Sequence, residues 1–143
     1  LSANKNVFVG YHAGNANTTG NNNNASGYNA LNSNTTGSHN IALGNYALSS
    51  SIQNSYNVAI GDSALYSYNN GTNNDYIVAI GYGALRKNTT GYNNTAVGEL
   101  SLYSNTTGHG NTANGISCLY SNTNGNQNTA TGRNSRFNNT TGR

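Results

Sequence analysis

The sequence has very little charge, which argues against several classes of protein. Only 6% of its 143 residues are Asp, Glu, Lys or Arg, whereas about 25% is usual for a soluble domain. Its single cysteine, Cys118, excludes an intrachain disulfide. The net charge of +3 is too small and too scattered for a nucleic-acid-binding surface. We therefore expect neither an ordinary charged enzyme domain nor a partner of nucleic acids.

Long apolar runs are also missing. No stretch approaches the roughly 18 apolar residues of a membrane-spanning helix, so we expect no membrane insertion. The first residues contain no basic stretch followed by an apolar one, as a secretory leader would, and the chain starts at Leu1 rather than at Met. This pattern indicates a soluble segment of a longer protein.

Short polar side chains take the place of charge. The chain has 32 Asn, 16 Thr and 18 Gly, and no Pro, Met or Trp, so it cannot fill a conventional core. Unpatterned polar residues with high net charge would indicate disorder. However, 34% of the residues are apolar, and the spacing of the residues decides the interpretation.

One glycine recurs at every seventeenth position, with a single longer interval between Gly61 and Gly81. It occurs as Gly10, Gly27, Gly44, Gly61, Gly81, Gly98, Gly115 and Gly132. A second glycine follows ten positions later in seven of the eight units, and Asn54 stands there in the remaining one. Because Asn tolerates the left-handed backbone region better than most residues, we expect a left-handed corner at this second position.

The period divides the chain into a lead-in and one solenoid domain. The lead-in is 1–5, the domain is 6–143, and its eight repeats, named coils 1 to 8, are 6–22, 23–39, 40–56, 57–76 with a three-residue insertion near Thr72 to Tyr76, 77–93, 94–110, 111–127 and 128–143. A unit of this length is too short for a pair of helices or a propeller blade. It predicts an all-β parallel solenoid whose coils each have two short strands and two glycine corners.

Four columns of the repeat are candidates for the coil interior. Ala stands two positions before the first glycine in seven coils, a small residue (Ala, Ser or Cys) stands three positions after it in all eight, and Leu stands four positions after it in six. Asn stands four positions before that glycine in seven coils, with Ile77 in the other. Stacked amides can hydrogen-bond to one another along such a column, so we expect an Asn ladder.

The residues on either side of the inward Ala must point outward, because side chains alternate along a strand. Many of these outward residues are apolar: Val7, Val9, Ile41, Leu43, Val58, Ile60, Val78, Ile80 and Val97. A stripe of this kind on a soluble protein marks an interface. We therefore expect copies of the chain to pack along it around a symmetry axis.

The units Asn57-Val-Ala-Ile-Gly-Asp-Ser-Ala-Leu and Asn105-Thr-Thr-Gly resemble repeats of two known kinds. They are similar to the head repeats of YadA-like trimeric autotransporter adhesins and to the Asn-Thr-Thr-Gly repeats of phage and viral tail fibres. The resemblance covers residues 6–143. It implies a left-handed β-roll that forms a homotrimer, with the Val and Ile positions facing the threefold axis. Coils 7 and 8 depart from this pattern with polar residues at those positions: Thr112, Asn114, Thr129 and Thr131.

No catalytic, cofactor-binding or metal-binding constellation stands out. Asp62 and Glu99 share a column two coils apart, roughly 10 Å by strand spacing. A glycosidase-type carboxylate pair is a minority hypothesis beside solvated surface charges. Cys118 takes an inward position, which indicates a buried, inert thiol. The three histidines fall in different columns, which argues against a metal cluster: His12, His39 and His109.

Five positions after the first glycine lies a column of rings with one guanidinium, named the aromatic ladder. Its members are Tyr66, Arg86, Tyr103, Tyr120 and Phe137. The aromatic ladder is a candidate for stacking sugars or contacting a neighbouring chain, and alternatively it only stabilises the fold.

Asn-x-Ser/Thr triplets are either glycan acceptors or turn residues; they begin at Asn17, Asn34, Asn88, Asn105 and Asn139.

The sequence thus predicts a non-enzymatic structural segment of an extracellular fibre or filament on a virion or cell surface. Attachment to a cell-surface glycan or receptor is an extension of this function. Because no capping element precedes Arg143, we expect the chain either to continue or to stack end to end. The alternative is an ice-binding β-roll, based on the Thr pairs at 18/19, 35/36, 89/90, 106/107 and 140/141, with interruptions at 52/53 and 69/70.

Overall fold

A computed structural model describes residues 5–71 and 75–142 of the chain. The described residues form eight three-residue strands and no helix, so they include no helix that could cross a membrane. The expected insertion in coil 4 falls largely on residues 72–74, outside the described residues. The strands are β1 Val7–Val9, β2 Asn24–Ser26, β3 Ile41–Leu43, β4 Val58–Ile60, β5 Val78–Ile80, β6 Thr95–Val97, β7 Thr112–Asn114 and β8 Thr129–Thr131.

The strands form one parallel sheet in chain order, from β1 to β8. Equivalent residues of successive coils face each other, as Ala42 faces Ala59 and Ala59 faces Ala79. Each 17-residue repeat is therefore one coil, and the predicted all-β parallel solenoid is confirmed. Because pairing is in register, every column of the repeat becomes a row of stacked side chains along the solenoid axis.

Within residues 5–71 and 75–142 each coil has one strand, so the prediction of two strands per coil is wrong. The residues after the first glycine form turns that include left-handed positions, such as Tyr46 at φ 58 and Leu48 at φ 50. Their N–H groups still point along the axis: Tyr46 donates to Tyr28 O at 2.8 Å, and Leu48 donates to Ala64 O at 3.0 Å. The coils therefore hydrogen-bond to each other in this segment without β geometry.

Alanine and leucine fill the apolar part of the interior, as expected. The strand-centre Ala residues of β2 to β7 are fully buried, and so are the six Leu residues, all of which have φ between 50 and 52: Leu31, Leu48, Leu65, Leu85, Leu102 and Leu119. A left-handed backbone at a bulky residue costs on the order of 1–3 kcal/mol. Burying a Leu side chain stabilises by a similar amount, about 1.5–3 kcal/mol, so packing holds the strained conformation.

The first glycine of each coil is required for two reasons. Its φ lies between 112 and 138 in all eight coils, a region that L side chains rarely adopt. A Cβ at Gly61 would also lie 2.6 Å from the carbonyl oxygen of Gly81 in the next coil. In coils 1 to 7 any side chain at this position would therefore force neighbouring coils apart, whereas Gly132 is required by its φ alone.

The second glycine is not the left-handed corner that the sequence predicted. It has no positive φ in any coil except coil 4, where Gly71 has φ 75, and Asn54 is not left-handed either. Glycine is needed because of crowding: a Cβ on Gly108 would overlap Asn105 Oδ1 and lie 2.5 Å from Gly125 O.

Asn54 fits at the second-glycine position because its surroundings differ. In coil 3 the smaller Ser51 replaces the asparagine that crowds this corner elsewhere, and its Oγ lies 3.2 Å from Asn54 Oδ1. In coil 4 the corner has its own left-handed conformation at Gly71, and Asn54 Nδ2 donates to Asn70 Oδ1 at 2.6 Å. Asn54 is therefore accommodated by Ser51 in its own coil and by the different corner of coil 4.

The predicted Asn ladder four positions before the first glycine is present and is named the first Asn ladder. Asn23 Oδ1 accepts the backbone N–H of Asn40 at 3.0 Å, and Asn23 Nδ2 donates to Gly37 O at 2.8 Å. The amides of coils 1, 2, 3, 6 and 7 thus join their own second-glycine corner to the following coil, whereas Asn57 Nδ2 donates to Ser55 O at 3.1 Å. The backbone N–H of Ile77 accordingly donates to Asn57 Oδ1 at 3.2 Å. The Ile77 side chain itself has no acceptor for the backbone of the next coil.

A second Asn ladder runs seven positions after the first glycine: Asn17, Asn34, Asn88, Asn105, Asn122 and Asn139. Asn105 Nδ2 donates to Asn88 Oδ1 at 2.8 Å and to Gly108 O at 2.9 Å, while its Oδ1 accepts from Asn122 Nδ2 at 2.8 Å. This ladder was not predicted from the sequence, because Asn-Thr-Thr-Gly also has the composition of an exposed turn. The regular recurrence of Asn in the column was the available signal.

The two end coils depart from the interior pattern. In coil 1, Phe8 replaces the strand-centre Ala and Gly14 replaces the Leu. A Cβ on Gly14 would lie 2.5 Å from the Phe8 ring, so the ring fills the space that Leu fills elsewhere. In coil 8 the same two columns hold Ala130 and Arg136, and Arg136 is exposed.

Candidate interaction surfaces

The outward residues of the eight strands form one continuous surface, named the strand face. Ile41 is 38% exposed and Val9 is 58% exposed, while Val58, Ile60 and the equivalent residues of β5 are half-buried. The predicted outward orientation is therefore correct for these residues. Parallel sheets are usually covered on both faces, whereas in the single chain only the interior side of this sheet is covered.

An aromatic row borders the strand face in coils 2 to 5. Tyr56 stacks on His39, with ring centroids 4.9 Å apart and planes at 3°, and on Tyr76 at 5.6 Å and 23°. Tyr82, directly after the first glycine of coil 5, is 60% exposed. These rings widen the apolar surface in the middle of the solenoid. His39, Tyr56 and Tyr76 were not predicted as a row from the sequence, because the equivalent residues of the other coils, such as Lys5, are not aromatic.

The strand face becomes polar towards the end of the described chain. Its residues in coils 7 and 8 are all exposed: Thr112, Asn114, Thr129 and Thr131. The apolar part of the strand face therefore ends with Val97 in coil 6. Packing between copies along this face would be driven mainly by coils 3 to 6.

The aromatic ladder exists as a stack of side chains. Tyr103 and Tyr120 are 5.2 Å apart with planes at 4°, and Tyr120 and Phe137 are 4.8 Å apart at 2°. The Arg86 guanidinium lies 5.4 Å from the centroid of Tyr66 and donates to the Tyr103 hydroxyl at 3.4 Å. Because each ring covers its neighbour's face, these coils offer solvent mainly ring edges, which favours a stabilising role over sugar stacking.

The stack extends through coils 1 to 3 by way of residues in other columns. Tyr11 and Tyr28 stack at 5.4 Å and 9°. Tyr46 stands edge-on, at 67° to Tyr28 and 65° to Tyr66. Every coil therefore contributes one ring or guanidinium to the stack. Aligning the repeats in columns could not reveal the full stack. The ring or guanidinium of each coil stands one residue after the first glycine in coils 1 and 2, two in coil 3 and five from coil 4 onward.

One carboxylate of the candidate pair, that of Asp62, makes hydrogen bonds to the preceding coil. Asp62 Oδ1 accepts the backbone N–H of Asn45 at 2.8 Å, and Asp62 Oδ2 accepts from Asn45 Nδ2 at 3.2 Å. Both Asp62 and Glu99 are exposed, and Tyr82 occupies the coil between them. These contacts support a structural use of Asp62 and add nothing to the glycosidase hypothesis.

The histidines and the cysteine also have structural surroundings. His109 stacks on Tyr92 at 4.8 Å and 3°, and no group of three His, Cys, Asp or Glu within residues 5–71 and 75–142 could hold a metal ion. Cys118 is buried, and its Sγ lies 3.2 Å from Ala130 O. Burial raises the pKa of the Cys118 thiol, so the unreactive thiol form dominates at neutral pH.

A buried polar cluster lies beside the insertion in coil 4, and nothing in the repeat pattern predicted it. Tyr68 takes the place of the asparagine of the second Asn ladder and is fully buried, as is Asp75. Asn70 Nδ2 donates to Asp75 Oδ1 at 2.7 Å. Burial, together with the neighbouring Asp75 carboxylate, raises the pKa of the Tyr68 hydroxyl. The cluster replaces the Asn-Gly corner of the other coils.

The column of Thr pairs uses hydroxyl hydrogens internally. In coils 1, 2, 5 and 6 the first Thr of the pair donates through Oγ1 to the carbonyl of the next coil, as Thr89 does to Thr106 O at 3.0 Å and Thr106 to Thr123 O at 3.0 Å. Ile52 and Asn69 interrupt this column in coils 3 and 4. A regular array of free hydroxyl donors is therefore not presented by the first Thr of the pairs.

The Asn-x-Thr triplets belong to the second Asn ladder. Asn34, Asn88 and Asn105 are fully buried, and Asn17 and Asn139 take part through their amides. A glycan on a ladder nitrogen would remove its hydrogen bonds and could not fit inside the coil. The structure thus favours the interpretation of these residues as structural over glycan acceptors.

Comparisons of the chain with protein-family models, with curated proteins and with solved structures found no match.

Proposed function

We propose that this chain is a structural segment of an extracellular fibre, in which copies of the solenoid pack side by side along the strand face. The apolar strand face of coils 3 to 6 is the observation that carries this proposal. Contiguous apolar surface on a water-soluble protein favours burial against a partner. A second copy offers the same surface at the same spacing, which suits closed symmetry.

The internal bonding of the coils supports a role as a stiff spacer. Two buried Asn ladders, a buried Leu column and the aromatic stack all run along the axis. At about 4.8 Å per coil, eight coils give a rod roughly 38 Å long. The resemblance to adhesin heads and tail fibres favours a homotrimeric, left-handed roll on a virion or cell surface, which could also contribute to attachment to a glycan or receptor.

Ice binding remains the alternative, but the threonine geometry gives it less support. An ice-binding face needs a regular array of free groups, and the first Thr of the pair in coils 1, 2, 5 and 6 already donates to a neighbouring carbonyl. The interruption by Ile52 and Asn69 falls in the middle of the rod. The absence of thermal hysteresis in the purified chain would agree with the fibre proposal.

Replacing Ile60 and Ile80 together by Asp tests the side-by-side packing. We expect the double variant to dissociate into monomers, because burying two unpaired charges at an interface costs several kcal/mol each. Multi-angle light scattering after size-exclusion chromatography measures the mass. In the single chain both positions are outward and half-buried, so circular dichroism should still report the folded solenoid.

The matched control is Asn114→Asp with Thr131→Asp, which places two charges in the same column on the polar coils. This variant should keep the mass of the wild-type assembly. A wild-type chain that is already monomeric, or an unchanged mass for the Ile60/Ile80 variant, would contradict the proposal.

A further inference from the structure

The column that holds leucine in coils 2 to 7 ends in an arginine. In those coils the residue four positions after the first glycine is a fully buried Leu, as Leu102 and Leu119 are. In coil 8 it is Arg136, which has φ 50 like the leucines but is exposed. A cation thus stands in the position where coils 2 to 7 stack a leucine side chain.

Arg136 also uses the acceptor through which the first Asn ladder joins one coil to the next. Asn111 Oδ1 accepts the backbone N–H of Asn128 in the following coil at 3.0 Å. In coil 8 the equivalent acceptor, Asn128 Oδ1, accepts instead from Arg136 Nη1 at 2.8 Å. The guanidinium therefore occupies the acceptor that the backbone of a ninth coil would need.

We propose that Arg136 makes coil 8 a cap against end-to-end association, which prevents a second copy of this chain from stacking on it. A coil placed on coil 8 would bury the guanidinium against the Leu column and would compete for Asn128 Oδ1, and burying a charge without a counter-ion is strongly unfavourable. A polar outer coil is what a solenoid needs to stay soluble. The cap is defined by the residue in the Leu column and not by where the chain ends.

This cap changes one of the two expectations drawn from the sequence, namely that copies of the chain stack end to end. It leaves lateral packing along the strand face as the route of association between copies. The cap does not depend on the proposed function, because it concerns the end of the rod and not its side.

Arg136→Leu, which restores the residue of the other coils, tests the cap in the full chain. We expect wild-type particles of one length at all concentrations, and variant particles that lengthen in multiples of the wild-type length as concentration rises. Negative-stain electron microscopy measures the length, and sedimentation velocity measures the mass. The control is Arg133→Leu, which removes an exposed charge from the same coil outside the Leu column and should leave the length unchanged.

A folded Arg136→Leu variant with the wild-type length, or wild-type particles that already grow lengthwise, would overturn the proposal. If circular dichroism shows that Arg136→Leu is unfolded, Arg136→Gln replaces it. Glutamine keeps an amide donor for Asn128 Oδ1 but removes the charge, so end-to-end growth is again expected. An unchanged length for the folded Gln variant would overturn the cap in the same way.

Discussion

At the scale of single residues, asparagine does in this protein what apolar side chains do in most cores. Asn105 is fully buried, and all of its hydrogen bonds along the second Asn ladder run within the coil or to the coils on either side. Buried amides are tolerated when their donors and acceptors are paired. A chain with few large apolar residues can therefore fold, provided that the ladders remain unbroken.

Asn105→Ala should destabilise the solenoid by about 2–5 kcal/mol, because it leaves buried polar partners on Asn88, Gly108 and Asn122 without their hydrogen bonds. The exposed Asn124 is the matched control, and Asn124→Ala should change stability by less than about 0.5 kcal/mol. Urea unfolding followed by circular dichroism measures both variants. Equal effects would mean that the buried ladder does not stabilise the fold.

At the scale of the coil, the sequence predicted the repeat, its inward Ala and Leu and its outward Val and Ile. These follow from side-chain chemistry that recurs once in every repeat. It did not predict the single strand per coil, because nothing in the sequence shows that a leucine such as Leu48 adopts a left-handed backbone, here at φ 50. It also misread the second glycine, because crowding by the neighbouring coil and a left-handed φ both select for glycine.

Two glycines two residues apart separate these explanations. Gly108→Asn should destabilise by about 3 kcal/mol, because its Cβ would overlap Asn105 Oδ1 and overpacking against backbone carries costs of this size. Gly110→Asn should change stability by less than about 1 kcal/mol. Gly110 has φ 66, a Cβ there would lie at an ordinary contact distance of 3.6 Å from Gln127 Cγ, and Asn93 adopts φ 54 in the same column. Thermal melts of the two variants measure the difference. A mild Gly108→Asn would restore the left-handed corner that the sequence suggested.

At the scale of the whole molecule, the surfaces are less predictable than the interior. The stripe of Val and Ile could be read from strand alternation, because every strand has the same register. The aromatic stack could not be read in full, since Tyr28, Tyr46 and Tyr66 occupy three different columns and meet only in the folded chain. Arg136 was counted as one of several scattered charges, and its bond to Asn128 Oδ1 emerged only from the stacking of coils.

If the molecule is a stack in which each coil contacts only its neighbours, its length should be adjustable in whole coils. Deleting coil 6, residues 94–110, joins Asn93 to Asn111 and places equivalent residues of coils 5 and 7 in contact. The second Asn ladder then continues from Asn88 to Asn122, and the Leu column continues as well. We expect a folded rod about 5 Å shorter with a lower melting temperature, measured by small-angle scattering and circular dichroism.

The control for this deletion removes Asn111 as well, so that Asn93 is joined to Thr112 and one coil is a residue short. Asn93 would then have to serve both as the end of coil 5 and as the member of the first Asn ladder in coil 7. Extra residues can be accommodated at a corner, as the longer interval in coil 4 indicates, but a coil that lacks a residue must strain its corner or pull its strand out of register. A register shift of a single residue turns the inward side chains outward, so this variant should lose most of its cooperative melting transition. If both deletions melt alike, stability does not reside in coil-to-coil register, and the rod is not the modular spacer that the fibre proposal requires.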